Sequence, residues 1–100
     1  MKAQIFNEIS RYVKLDKDSL FQKGLESLLV EKRRAIMLEQ IELLSRYKVS
    51  SATELEERIK KGSVEEHPTW EDLIVLENLE TELVKIDGFL SDLREAARAS

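Results

Sequence analysis

From Leu76 to Ala97 the apolar residues Leu76, Leu79, Leu83, Ile86, Leu90, Leu93 and Ala97 recur in alternating steps of three and four. An unbroken 3.5-residue repeat is the a/d seam of a helix built to lie along another helix. The vocabulary of the chain agrees with it. Glu (15) far outnumbers Asp (5), while Gly (3), Asn (2), Gln (3) and Pro (1) are scarce, so helix formers dominate and breakers are few. The same Lys/Glu-rich bias, poor in thermolabile side chains, marks thermophile proteins.

A second long helix is expected from about residue 18 to 48. Leu29, Ile36 and Leu43 repeat every seven residues, and so do their neighbours Val30, Met37 and Leu44. Two adjacent apolar columns make a face wider than one seam, and a wide face touches more than one neighbour. The expected neighbours are the C-terminal helix and either the N-terminal helix or a second chain. Gly24 inside this helix marks either a close helix crossing or a bend.

Shorter elements fill the rest. Ile5, Phe6, Ile9, Tyr12 and Val13 recur at helical spacing, so residues 3–14 read as a short amphipathic helix. Asp16 or Asp18 is placed to cap the helix that follows. Ser51-Ala52-Thr53-Glu54 fits a capping box opening a helix over about 52–61, which Lys60, Lys61 and Gly62 close. Ser63 to Pro68 reads as a loop. Thr69 is the expected N-cap of the last helix, which runs to about Ala97 with Glu71 and Asp72 near its positive pole.

The fold expected is therefore all-α: one domain over 1–100, a long antiparallel helical hairpin with a short capping helix in the connector and a short N-terminal helix. The connector is longer than the usual 2–8 residues between bundle helices, roughly, and so needs structure of its own. The six residues Leu76, Leu79, Leu83, Ile86, Leu90 and Leu93 form a hairpin or dimer seam. A chain of 100 residues buries only a shallow core, and a homodimer is expected.

Charge and composition narrow the function. Residues 1–48 carry ten Lys/Arg against seven Asp/Glu, and residues 49–100 carry six against thirteen. Between Gly62 and Val84 there are seven acids and no Lys or Arg. That stretch repels nucleic acid and suits a basic protein surface, or it is simply a solvated face. The absence of Cys excludes a disulfide or thiolate site and points to a reducing compartment. No apolar run approaches the ~20 residues of a membrane span, and the first residues lack a signal-peptide core, so a cytoplasmic protein without membrane contact is expected.

Chemical motifs are few. His67 is the sole histidine, with no second His or Cys to share a metal, and reads as a loop residue. The pairs Glu39/Glu42, Glu77/Glu80 and Glu54/Glu57 are spaced to share helix faces. Two facing pairs would hold Mg²⁺, as in helical nucleotide pyrophosphohydrolases, which makes a carboxylate-metal hydrolase using Glu39, Glu42, Glu77 and Glu80 the alternative function. With fifteen Glu in a helical chain, such pairs also arise by chance, and neither a metal nor another cofactor is expected. Lys32-Arg33-Arg34 has no interleaved aromatics and reads as a helix edge pairing with Glu26 and Glu31. Trp70, the only Trp, either anchors a partner or caps the hairpin core on Leu55 or Ile59.

In the segment Arg46 to Gly62, Arg46-Tyr47 precedes Ser50-Ser51, and a short acidic helix ends in Gly62. His67-Pro68-Thr69-Trp70-Glu71-Asp72 then leads on to Glu80. This combination resembles the C-terminal half of small helical antitoxin proteins of prokaryotic toxin–antitoxin pairs. The resemblance implies that Trp70 and the acidic Gly62–Val84 region bind a basic toxin. DNA-binding antitoxins often begin with a ribbon strand, whereas Ile5–Val13 reads as helix, so nucleic acid is not an expected partner. The function expected is a non-enzymatic protein–protein interaction module, with Trp70, Glu71, Asp72, Glu77 and Glu80 as the partner-binding set. A purely architectural dimer is the remaining alternative.

Overall fold

The computed structural model describes residues 2–99 as four helices, α1 (Ala3–Val13), α2 (Lys17–Tyr47), α3 (Ala52–Lys60) and α4 (Glu66–Ala99), with no strand among the described residues. Helices α2 and α4 form the antiparallel hairpin. Cross-hairpin contacts show the direction, because the partner number falls as the residue number rises. Gln22 Nε2 donates to Leu93 O at 2.8 Å, Arg33 Nε to Asp87 Oδ1 at 2.7 Å and Arg46 Nη1 to Asp72 Oδ2 at 3.3 Å. Helix α3 packs against α4 at the closed end, and α1 lies against the start of α2 at the open end.

The seam on α4 is satisfied within the chain. Leu76, Leu79, Ile86 and Leu90 are buried in one cluster with Ile36 and Leu43 of α2, and Leu83 packs on its margin. Leu93 is half-buried and Ala97 exposed, so the seam frays where α4 passes the start of α2. Of the two columns on α2, the one with Ile36 and Leu43 faces α4. Val30 and Leu44 of the second column only flank the core.

The helix ends follow local chemistry. Asp16 caps α2 by accepting from Ser19 N at 2.7 Å, and Ser51 caps α3 by accepting from Glu54 N at 3.1 Å. Gly62 adopts φ 73° just past α3, the left-handed position that glycine takes without strain. Two other helix ends use lysine for that turn: Lys14 (φ 59°) and Lys48 (φ 54°). No sequence signal announced them. The Lys48 turn is held by Val49 N donating to Leu44 O at 3.0 Å, and Val49 itself is buried.

The start of α4 departs from expectation. His67 is extended (φ −119°, ψ 126°), so the continuous helical backbone begins at Pro68. Proline suits a first helical position because its missing N–H is not needed there. Thr69, expected as the N-cap, lies inside the first turn and is buried at 3% exposure. The stop before Pro68 is the one that proline imposes on its predecessor.

The core sits at the closed end. Val49, Ala52, Leu55 and Ile59 join Leu73, Leu76 and Leu79 there, whereas α1 contributes no buried residue. The molecule measures 61 × 27 × 18 Å, with a radius of gyration of 19.8 Å. A compact 100-residue domain has about 13 Å.

Two stability changes are expected. Leu76→Ala empties a fully buried site between α2, α3 and α4 and should cost about 2–5 kcal/mol in urea unfolding. Lys48→Gly relieves a left-handed lysine and should raise stability by about 1 kcal/mol, measured the same way.

Candidate partner-binding surface

Tertiary contacts at the closed end decide which side chains remain available. Arg58 of α3 reaches back to the end of α2, donating from Nη1 to Tyr47 O at 2.9 Å and from Nη2 to Lys48 O at 3.3 Å. These carbonyls have no partner inside their own helix, and the guanidinium satisfies them. Arg58 Nη2 also pairs with Glu54 Oε1 at 3.3 Å. The other carboxylate oxygen of Glu54 accepts from Ser50 N at 2.7 Å and Ser50 Oγ at 2.8 Å. The capping box is thus reciprocal, but Glu54 returns its bond one residue upstream of the expected Ser51 amide.

Asp72 is engaged in the same fastening. The Tyr47 hydroxyl donates to Asp72 Oδ2, and Arg46 Nη1 pairs with that oxygen at 3.3 Å. Burial, then the bond to Asp72, raises the Tyr47 phenol above its ordinary pKa. Its side chain only 22% exposed, Asp72 ties the end of α2 to the start of α4. Of the five residues in the expected partner set, it is the one held inside the fold.

Trp70, Glu71 and Glu77 remain at the surface. Trp70 is 36% exposed and is not among the buried residues of the core cluster. Its neighbours Thr69 and Leu73 are buried. The indole Nε1 of Trp70 donates to Glu66 Oε1 at 3.0 Å. Ile74 and Glu77, four and seven residues further on, fall on the same outer face of α4, and Val84 continues the stripe. Glu71 is exposed on one flank, with His67 Nδ1 at 3.9 Å from its Oε1, and Glu80 is half-buried on the other. Ile74 and Val84 were not foreseen. Their spacing from Trp70 was readable, but it runs beside the stronger heptad of the same helix.

Charge separates along the hairpin. Residues 39–82, the closed half, carry five Lys/Arg against twelve Asp/Glu, whereas the rest of the chain carries eleven against eight. The carboxylates are spread out: among the described residues no three His, Cys, Asp or Glu side chains gather as ion ligands. Glu39, Glu42, Glu77 and Glu80 therefore do not converge on one point. Arg33 of the basic run bonds Asp87 across the hairpin, and Glu26 pairs with Arg94 at 3.8 Å, in place of the neighbours expected on α2 itself.

The chain belongs to the Uncharacterized protein MJ0235 family, whose model matches residues 1–98. No curated protein and no solved structure matches it. Among the described residues no helix is long and apolar enough to cross a membrane.

The bonds from the Ser50 amide and hydroxyl, with the Arg58 charge, hold the Glu54 carboxyl below its ordinary pKa of 4.5. A carboxyl lowered on folding contributes stability that is complete above that value and is lost as pH falls through its folded value. The thermal midpoint of the wild type should therefore drop more steeply below pH 4.5 than that of Glu54→Gln. At neutral pH the variant should melt lower. Equal pH slopes in a calorimetric series would contradict this role of Glu54.

Proposed function

We propose that this member of the MJ0235 family acts by binding another protein, and that the docking site is the outer face of its acidic closed end. The observation that carries the reading is the separation of charge: twelve acids against five bases lie in residues 39–82, the half that carries the one tryptophan. An exposed aromatic and aliphatic stripe, Trp70, Ile74 and Val84, with Glu71, Glu77 and Glu80 around it, has the makeup of an apolar anchor inside a charged rim. Acidic rims of this kind speed and orient encounter with a basic surface. The partner is accordingly a basic protein, and an antitoxin-like neutraliser is the role that fits. Asp72 supports the site by fastening α4 to α2 and is not itself a contact.

Binding would be read from capture on the immobilised full chain at low salt, followed by identification of what is retained. The expected partner has an excess of Lys and Arg and is released as salt rises. Trp70→Ala should weaken it by at least ~30-fold, the loss of a central aromatic anchor. Glu71→Lys with Glu77→Lys should slow association and flatten the salt dependence. A partner held equally by all these variants would overturn the site.

A further inference from the structure

The open end of the hairpin presents a second, unrelated surface. Phe21 (64% exposed) and Leu28 (65%) of α2 and Phe89 (52%) of α4 stand uncovered on one side of the hairpin, with Leu25 between them. Leu25 and Leu28 form a ridge shared by two open apolar grooves. One, of 520 Å³, is lined by Phe6, Ile9, Phe21 and Gly24 toward α1. The other, of 530 Å³, is lined by Leu29, Phe89 and Leu93 toward α4.

We propose that a second copy of this chain occupies this face, through a two-fold interface in which the Leu25–Leu28 ridge of each protomer enters a groove of the other. A ridge flanked by grooves is self-complementary, as a two-fold contact requires. The elongated chain exposes 7656 Å², where a compact monomer of this mass exposes about 5,800 Å². The excess, spread over the whole molecule, is about 1,800 Å², so a contact taking the ~800 Å² per partner of a standard stable interface leaves the chain no more compact than an ordinary monomer.

Two local features point the same way. Helix α1 has 11 residues, none buried, and leaves Ile5, Ile9, Tyr12 and Val13 exposed. A helix that short is marginal in water without an apolar face to dock. Gly24 lowers the helical stability of α2, yet a Cβ there would meet nothing within 4 Å in the monomer. Close approach of a helix from another chain supplies the reason for a glycine.

Charge favours this end. Each open half carries eleven Lys/Arg against eight Asp/Glu, a net +3, while each closed half carries five against twelve, a net −7, so contact between open halves meets the weaker repulsion. Their acidic closed halves then point away from each other along molecules 61 Å long, whereas a parallel side-by-side dimer would press them together. This surface is independent of the outer face around Trp70 and leaves that face open.

Sedimentation equilibrium of the full chain, from low to high micromolar concentration, tests the proposal. A mass approaching twice 11.6 kDa is expected. Leu28→Glu and Phe89→Glu, on different helices and both at exposed positions, should each weaken association by at least ~30-fold while circular dichroism shows unchanged helicity. Val84→Glu, on the outer face of α4, should leave the mass of the dimer unchanged. A wild type that stays at 11.6 kDa throughout overturns the proposal, whether or not another protein fills the groove. So does a dimer that survives both open-end variants, or one that Val84→Glu dissociates equally.

Discussion

The packing of α4 along α2 is the contact on which the rest depends. Leu76, Ile86 and Leu90 close against Ile36 and Leu43, which removes the heptad seam from solvent within one chain. Once that seam is closed, α3 has a surface to cover and the ends of α2 and α4 come within reach of each other. Tyr47, Arg46 and Asp72 can then bond, and Arg58 can satisfy the last carbonyls of α2. Remove the seam and each of these contacts loses its geometry.

The hairpin is cohesive at one end only. Helix α3 adds a third layer at the closed end, and seven buried apolar residues from Val49 to Leu79 gather there. At the open end α1 is too short to do the same, and its apolar side chains lie beside those of α2 without enclosing them. Two helices bury only one stripe of each; a third element is needed to bury a second. The elongated shape and the exposed phenylalanines are thus one fact seen twice. Charge follows the same division, with the acids concentrated where the fold is already complete.

Much of the architecture was legible because helix signals are local. The 3.5-residue period, the Ser51 and Asp16 caps, the Gly62 stop and the break before Pro68 each depend on a few neighbouring residues, and the structure carries all of them. The left-handed turns at Lys14 and Lys48 were hidden because lysine rarely takes that conformation. Thr69 misled because a Thr before an acidic turn reads as a cap, while burial against the closed-end core claimed it for the helix interior. Of the expected partner set, Trp70, Glu71 and Glu77 are on the surface, but Asp72 is engaged by Tyr47 and Arg46, residues 25 and 26 positions away. No local pattern encodes such a pairing.

The amino-acid sequence by itself determined that the chain is helical, several of its helix ends, and that one helix carries a seam for another. Those properties arise from backbone capping and side-chain period, which act over a few residues. Only the tertiary structure decided which helix fills that seam, because a heptad is equally satisfied by a neighbour in the same chain or in another. It also decided which apolar residues stay uncovered. Leu28 and Leu43 are the same residue type on the same helix, and only the position of α4 makes one exposed and the other core.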